Sequence, residues 1–392
     1  MGHLSVRRHE VLRLRVAAHQ LDREPGRAHH PRDVDLLDIG VLDAGDDGAA
    51  WALALRGAPA AGPDELARVW TVRGAPHVYR RSDLANVAVA TAPFSEADAA
   101  RRVLDAAKPL READIPVLDA LTIVARHLRE IARDPITKGD ASTLLTTMLG
   151  TPYLHDCSAC ETSHIYETTL RLASLQAALE LEPGTIPPVL RRIPGMEPPA
   201  FARPGSRATP RHDLVRGYLR FYGPSSPAEV AAFLDAPVRD VREVWPSDVV
   251  DVTIEDVPAE QRTLSVLADD AATLRRIARE EHPPARGVRL LGSHDPYLQA
   301  RDHELLVPDA ANRRDLWRSS DRPGAVLAGD EIVGTWRARV HESALTVRLN
   351  PWQRWPVPVQ RGLEDQISRL AAHRGAREVE VQMSRDHEAI AV

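Results

Sequence analysis

The chain has 392 residues, a length that predicts roughly two to four domains rather than a single core. Hydrophobic residues make up 43% of it and charged residues 27%, a balance that predicts a folded globular protein and excludes wholesale disorder. The formal net charge of −6 by itself argues against a nucleic-acid-binding protein. The distribution of charge carries more weight, because a duplex contacts only one face of its partner.

Two further features bear on the compartment. No apolar run in the sequence approaches the length of about 18 residues that a membrane-spanning helix needs, and the amino terminus does not resemble a signal peptide. Cys157 and Cys160 are its only cysteines, which excludes a framework of several disulfides and favours a reducing compartment. We therefore expect a cytoplasmic protein with no membrane contact.

The amino-terminal region predicts helices followed by a β-hairpin, the pattern of a winged helix. Helical spacing of apolar residues predicts helices at 7–21, 33–42 and 48–56. Alternating residues up to Arg73 and again from His77 predict a hairpin that turns at Gly74-Ala75-Pro76. Arg73 and His77, near the tip, are candidate contacts to DNA phosphates or to a minor groove. An exposed turn without a partner explains the same residues equally well.

Two further helical units follow along the chain. The second predicts helices at 117–133, 137–149 and 161–181. The third begins with a helix at 212–222, and Ser226-Pro227-Ala228-Glu229 then has the residues of a capping box.

A helix at 237–245 and strands at 249–254 and 262–268 complete the third unit as a winged helix. Its recognition helix would be 237–245, with Arg239 and Arg242 facing DNA phosphates. The segment from Leu190 to Gly223 carries seven arginines against two acidic residues, a local charge of +5.

The last third is rich in short apolar runs separated by turns, and it predicts a compact β-rich domain. Strands are expected at 288–291, 304–307, 325–327, 331–339, 344–349 and 378–382, with one helix at 358–374. The predicted fold is α+β, with tandem winged-helix motifs and a carboxy-terminal β-rich domain. The expected divisions are 7–84 for the first winged helix, 85–115 for a connector, 116–205 for the second, 206–270 for the third and 280–392 for the β-rich domain.

Two clusters of residues could carry chemistry. Cys157, Cys160 and His164 have ligand types that zinc prefers, but a structural site needs four ligands, and packing of thiols at a helix start explains them better. We therefore predict no metal and no cofactor. Asp43, Asp46 and Asp47 precede a helix at Gly48, where they would cap its amino terminus or else stabilise a sugar cation during glycosidic cleavage.

Four stretches together resemble one family: ARVWTVRGAPHVYRRSDL (67–84), SACETSHIYETTLRLA (158–173), RLLGSHDPYLQARDHELLVPD (289–309) and GAVLAGDEIVGTWRAR (324–339). In this order they resemble the winged-helix family that contains the AlkZ and YcaQ bacterial DNA glycosylases, over roughly residues 8 to 350. The resemblance implies three tandem winged-helix motifs and a β-domain around a positively lined channel. It also implies excision of alkylated purines and unhooking of interstrand cross-links.

The family's catalytic motif is Gln-x-Gln or Gln-x-Asp before an apolar helix. Matching GVLDAGDDGAAWALALR (40–56) to that segment places Asp43 and Gly45 at the two functional positions. Asp43 would then orient water and stabilise the sugar cation, with Asp46 as a second candidate catalytic residue. Gly45 offers no side chain, so the sequence leaves two functions open: a monofunctional DNA glycosylase, or a catalytically silent DNA-binding protein.

Both functions imply double-stranded DNA as the partner, damaged DNA in the first, and we expect a monomer. A protein-interaction module is the third alternative, which the net acidity favours.

Overall fold

A computed structural model describes residues 3–384, apart from 25–26, 28, 46–47, 59–61, 63, 160, 199–207, 258–263 and 280–286. The described residues form 15 α-helices and 16 strands in several sheets, which confirms the predicted mixture of helices and strands. Within this part of the chain, every helix is too short or too polar to cross a lipid bilayer.

The described residues of the amino-terminal region form two helices and four short strands. They are β1 (Leu4–Val6), α1 (Arg8–Ala18), β2 (Val41–Leu42), α2 (Gly48–Leu55), β3 (Leu66–Trp70) and β4 (Pro76–Arg80). The helices expected at 7–21 and 48–56 are confirmed, as is the hairpin.

The helix predicted at 33–42 is wrong, because 3₁₀ turns at Pro31–Asp33 and Asp35–Asp38 lead directly into β2. Gly40 takes a φ of +89°, and the Tyr79 hydroxyl donates to the Ile39 carbonyl, so a helix cannot continue there.

The middle of the chain is mainly helical. Its helices are α3 (Leu84–Thr91), α4 (Glu96–Arg102), α5 (Ala107–Glu112), α6 (Val117–Ile131), α7 (Lys138–Met148) and α8 (Glu167–Gln176). Its strands are β5 (Ile136–Thr137), β6 (Leu154–Cys157), β7 (Thr162–Ile165), β8 (Leu179–Leu181) and β9 (Val189–Arg192). The helix predicted at 161–181 is therefore too long: β7 precedes α8, and β8 follows it after Ala178, whose φ is +54°. The first hairpin joins β5, β8 and β9 in a six-stranded sheet of order β2-β4-β3-β8-β9-β5, whereas β6 and β7 pair with each other in a separate sheet.

The third unit has the element order that the sequence predicts for a winged helix. It comprises α9 (Leu214–Tyr222), α10 (Pro227–Leu234), α11 (Val238–Glu243), β10 (Val249–Ile254), β11 (Leu264–Leu267) and α12 (Ala268–Arg279). The capping box is present: Ser226 accepts from the Glu229 amide, and Glu229 accepts from the Ser226 amide. β1 pairs parallel with β10, so the first residues of the chain complete this unit's sheet.

The carboxy-terminal region forms a five-stranded sheet with helices. Its elements are β12 (Val288–Leu291), α13 (His303–Leu306), α14 (Ala310–Leu316), β13 (Gly324–Ala328), β14 (Glu331–His341), β15 (Ala344–Pro351), α15 (Val357–His373) and β16 (Glu378–Met383). The strand expected at 304–307 is a helix instead, in which the Val307 amide bonds to the His303 carbonyl.

One large core joins the amino-terminal, third and carboxy-terminal regions. Its buried side chains come from α1 and α2, from α9 and α10, and from the five-stranded sheet. The Trp51 indole of α2 donates to the Leu290 carbonyl of β12 at 2.7 Å. The packing therefore fixes α2 directly against the carboxy-terminal sheet.

Candidate functional site

A basic cleft lies between the 43–45 turn and the carboxy-terminal sheet. Its cavity of about 140 Å³ is lined by Ala44, Gly45 and α2 on one side and by the 292–295 loop on the other. Among the described lining residues, four arginines outnumber two aspartates: Arg322, Arg337, Arg339, Arg374, Asp295 and Asp321. The excess of positive charge suits a phosphate backbone.

Asp43 directs its carboxylate toward α2 and the first hairpin. Its Oδ1 accepts from the Ala49 amide at 2.8 Å, and its Oδ2 lies 2.7 Å from Nε of Arg68. Asp43 lines a second cavity, with Arg68 and Arg191, and is not among the residues that line the basic cleft. Both oxygens are engaged, which favours the capping interpretation of Asp43 over a catalytic one. Asp46 and Asp47 lie outside the described residues, so the catalytic role of Asp46 stays a prediction.

Gly45 faces the opposite wall of the cleft at close range. Its φ is +81°, in the left-handed region that favours glycine. A Cβ at this position would lie 3.2 Å from His294 Nδ1 and 3.3 Å from Ser293 Oγ. The backbone and the neighbouring side chains therefore both oppose a side chain at position 45.

Ser293 and His294 form a hydrogen-bonded pair on that opposite wall. Ser293 Oγ lies 2.9 Å from His294 Nδ1, and both side chains are partly buried. Burial, followed by the positive charge of Arg322, lowers the pKa of His294 below its usual value. The imidazole is therefore neutral at pH 7 and able to accept a proton.

A buried ion pair holds the two walls of the cleft together. Arg56, which follows α2, donates to both carboxylate oxygens of Asp295 at 2.9 and 3.0 Å, and both side chains are fully buried. Arg56 also donates to the carbonyls of His19 and Ala52. Asp295 follows His294 in sequence, so this pair fixes the histidine relative to α2.

Positive charge continues from the cleft toward the first hairpin. Burial, followed by repulsion from Arg301, lowers the pKa of Arg322 to about 10. The charge of Arg301 also acts on Arg73. The Nε atoms of Arg301 and Arg322 are buried without a hydrogen-bond partner among the described residues. These three arginines form a basic strip that leads into the cleft.

The structure separates the two residues predicted at the hairpin tip. Arg73 is exposed, with its guanidinium carbon 5.6 Å from the centre of the Phe233 ring. His77 is only 6% exposed, and its Nδ1 lies 3.0 Å from Thr71 Oγ1 and from the Ala75 carbonyl oxygen. Burial lowers the pKa of His77 to about 4. Arg73 is therefore accessible to a phosphate, whereas the burial of His77 argues against a DNA contact there.

The predicted recognition helix is α11, and both of its arginines are exposed. Arg239 lies 3.3 Å from Asp240 and 3.6 Å from Glu243, so its charge is partly compensated. Arg242 pairs with no carboxylate among the described residues. Asp240 itself is buried and accepts from Ser95 Oγ of the neighbouring region at 2.5 Å.

The cysteine–histidine cluster lies on the β6–β7 hairpin. His155 and His164 are cross-strand partners with ring centres 4.5 Å apart. Hydrogen bonds with the Ile165 carbonyl and with Cys157 raise the pKa of His164. Cys160 lies outside the described residues, so thiol packing at this cluster, without a metal, stays a prediction.

A second group of titratable residues is an ion-pair network. Asp38, Asp83 and His212 place ligand atoms within 4.8 Å of one another and are all buried. Arg80 and Arg211 reach Asp38 at 2.5 and 3.0 Å, and His212 lies 3.3 Å from Asp83. Because arginines already neutralise Asp38, the group ties the amino-terminal region to the start of the third unit rather than offering a cation site.

Sequence reasoning missed most of the cleft. It placed no role on Ser293, His294 or the lining arginines, although two of the four family-like stretches contain some of them. The signal was the His-Asp pair at 294–295 after an apolar strand. Its place in the cleft could not be predicted, because His294 lies close to Gly45 only in the folded protein.

Comparisons with known proteins agree with this architecture. Residues 36–373 match the model of a family described as DNA glycosylase AlkZ-like. Among solved structures, Streptomyces sahachiroi DNA glycosylase AlkZ is similar, with 18% identity and a TM-score of 0.67 over 97% of this chain and 100% of that chain. At this low identity, the structural likeness shows a shared fold alone. No curated protein matches the sequence significantly.

Proposed function

Because the chain belongs to the AlkZ-like DNA glycosylase family, we propose that it is a monofunctional DNA glycosylase that removes cationic alkylated purines or unhooks cross-links. The observation that carries this proposal is the basic cleft. Its lining includes Ala44 and Gly45, which belong to the turn that the family resemblance assigns to catalysis. The substrate would be damaged duplex DNA, bound by a monomer. The predicted division into three winged helices and a β-rich domain is part of the proposal.

The proposed reaction requires an attacking water at the sugar and contacts that hold the phosphates of the duplex. A cationic alkylated purine takes the electron pair of its glycosidic bond and leaves as a neutral base, so no covalent intermediate is required. The chain has two lysines, Lys108 and Lys138, and neither lines the cleft. This agrees with hydrolysis by water rather than through a Schiff base.

The basic strip supplies the means of holding DNA. Arg322 and Arg339 line the cleft without an ion-pair partner among the described residues, and Arg73 and Arg301 extend the charge beyond it. A bulky lesion can stay in an open groove such as this, because excision then does not depend on a deep pocket for a flipped base.

The test is release of free base from a methylated duplex by the purified protein. Chromatography should detect N7-methylguanine released from methylated duplex at a rate above that of the duplex alone. Arg322→Ala should weaken duplex binding and slow release at limiting protein, whereas Arg111→Ala, at an exposed arginine of α5, should change neither. Absence of release across duplexes with small and bulky purine adducts would contradict the proposal.

The second candidate function is a catalytically silent DNA-binding protein. It is favoured by the engagement of both Asp43 oxygens and by the absence of a side chain at position 45. This function predicts salt-dependent binding to duplex with no base release. The same protein preparation, assayed for binding and for release, distinguishes the two.

A further inference from the structure

We propose that Ser293 and His294 hold and activate the attacking water in the cleft, in place of the side chain that position 45 lacks. This inference rests on the proposed glycosylase function and names the residues that would carry its hydrolytic step. Both residues come from the loop after β12, on the wall opposite the 43–45 turn.

The first argument is position. The two atoms nearest to the place where a Cβ of residue 45 would stand are His294 Nδ1 and Ser293 Oγ, at 3.2 and 3.3 Å. The glycine backbone at φ +81° disfavours any other residue there. Polar groups from the carboxy-terminal region thus stand at the point where the family places the second residue of its motif.

The second argument is chemical competence. A serine hydroxyl and a neutral imidazole together offer a donor and acceptors to one water molecule. The 2.9 Å contact between Ser293 Oγ and His294 Nδ1 orients the ring, as a base needs to be oriented. Asp43, by contrast, has both oxygens engaged and does not line this cavity.

The surroundings keep His294 in the form that accepts a proton. The charged groups that share its cavity are mostly positive: Arg322, Arg337, Arg339 and Arg374. Of the two aspartates among the described lining residues, Asp321 pairs with Arg337 and Asp295 pairs with Arg56, so neither is available to stabilise an imidazolium. Burial and Arg322 together keep the ring neutral at pH 7.

The step balances without a further reactant. The bond between C1′ and the purine nitrogen breaks, and its electron pair neutralises the cationic base, which departs. The water oxygen forms a bond to C1′, and its proton passes to the Ser293–His294 pair and then to solvent. The products are a free alkylated base, an abasic sugar and one proton.

Single-turnover release of N7-methylguanine from a methylated duplex, with duplex affinity measured in parallel, tests the pair. His294→Gln keeps the polarity of the side chain but cannot accept the proton, so its rate should fall by about 100-fold or more. Affinity should change by no more than about threefold, because the neutral ring releases no counterions from DNA. Ser293→Ala should slow release by a smaller factor, and His341→Gln, at an exposed histidine of β14, should have no effect.

The pH profile supplies a readout that a structural role would not produce. The wild-type rate should fall as the pH drops below the pKa of His294, which is below its usual value, whereas the low rate of His294→Gln should not vary over that range. His294→Asn serves as a second variant if His294→Gln loses thermal stability. If the wild type releases base and the folded variants do so at an undiminished rate, the proposed role of Ser293 and His294 is wrong, while the proposed function stands. A wild type that binds duplex but never releases base would overturn the proposed function and the pair with it.

Discussion

At the scale of single residues, Gly45 occupies the position that the family resemblance predicts for the second residue of the catalytic motif. Replacing Gly45 by Gln would place a glutamine at that predicted position. The side chain would need a left-handed backbone, which costs about 1–2 kcal/mol outside glycine, and would press on His294 and Ser293. We expect Gly45→Gln to lower the free energy of unfolding by at least that amount and to leave base release no faster. Urea denaturation and the release assay check both, and a faster variant would show that the turn still accepts a motif side chain.

The two carboxylate oxygens of Asp43 have different partners, so substitutions at this position can remove one contact or both. Asp43→Ala removes both the bond to the Ala49 amide and the ion pair with Arg68, which should lower the free energy of unfolding by about 1–2 kcal/mol. Asp43→Asn keeps an oxygen for the amide and should cost less than about 1 kcal/mol. Its base release should stay close to that of the wild type. A folded Asp43→Asn variant without activity would instead establish the catalytic role that the sequence suggested.

At the scale of elements, α11 and the cleft are two candidates for the principal DNA-binding surface. α11 carries two arginines and two acidic residues, so the helix itself has no net charge. Arg322 and Arg339 in the cleft lack such compensation among the described residues. Arg322→Ala combined with Arg339→Ala should therefore weaken duplex binding and reduce the slope of its salt dependence by about two.

The matched variant is Arg239→Ala combined with Arg242→Ala, which should reduce the slope by about one, because Arg239 already pairs with Asp240 and Glu243. Fluorescence polarisation over a salt series compares the two. If the α11 variant reduces the slope more than the cleft variant does, the predicted recognition helix is the principal DNA-binding surface.

Elements were predictable where local signals agreed with the fold. The capping box at Ser226 and Glu229 marks the start of α10 in the sequence and in the structure. The 33–42 segment has helical spacing, but the bond from Tyr79 to the Ile39 carbonyl and the network around Asp38 give it another conformation. Those partners lie 40 or more residues away, and no local pattern includes them.

At the scale of the whole molecule, the candidate site could not be predicted because its walls come from opposite ends of the chain. The sequence singled out the 43–45 turn, yet the groups that face Gly45 follow β12. Even the sheets cross the expected divisions, since β1 pairs with β10 and the first hairpin shares a sheet with β8. Residues that are adjacent in the cleft therefore carry no shared pattern in the sequence.

The Arg56–Asp295 pair, which joins residues 239 apart, should control both stability and the shape of the cleft. Both side chains are fully buried, so Asp295→Asn leaves a charged guanidinium without its counter-ion and should lower the free energy of unfolding by about 3–5 kcal/mol. Asp321→Asn, at an exposed aspartate of the same cleft that also pairs with an arginine, should cost no more than about 1 kcal/mol. Urea denaturation at pH 7 measures both.

Because the pair fixes His294 relative to α2, the folded fraction of Asp295→Asn should also release base more slowly than Asp321→Asn. Equal stability of the two variants would mean that the core, rather than the ion pair, holds the walls of the cleft in place.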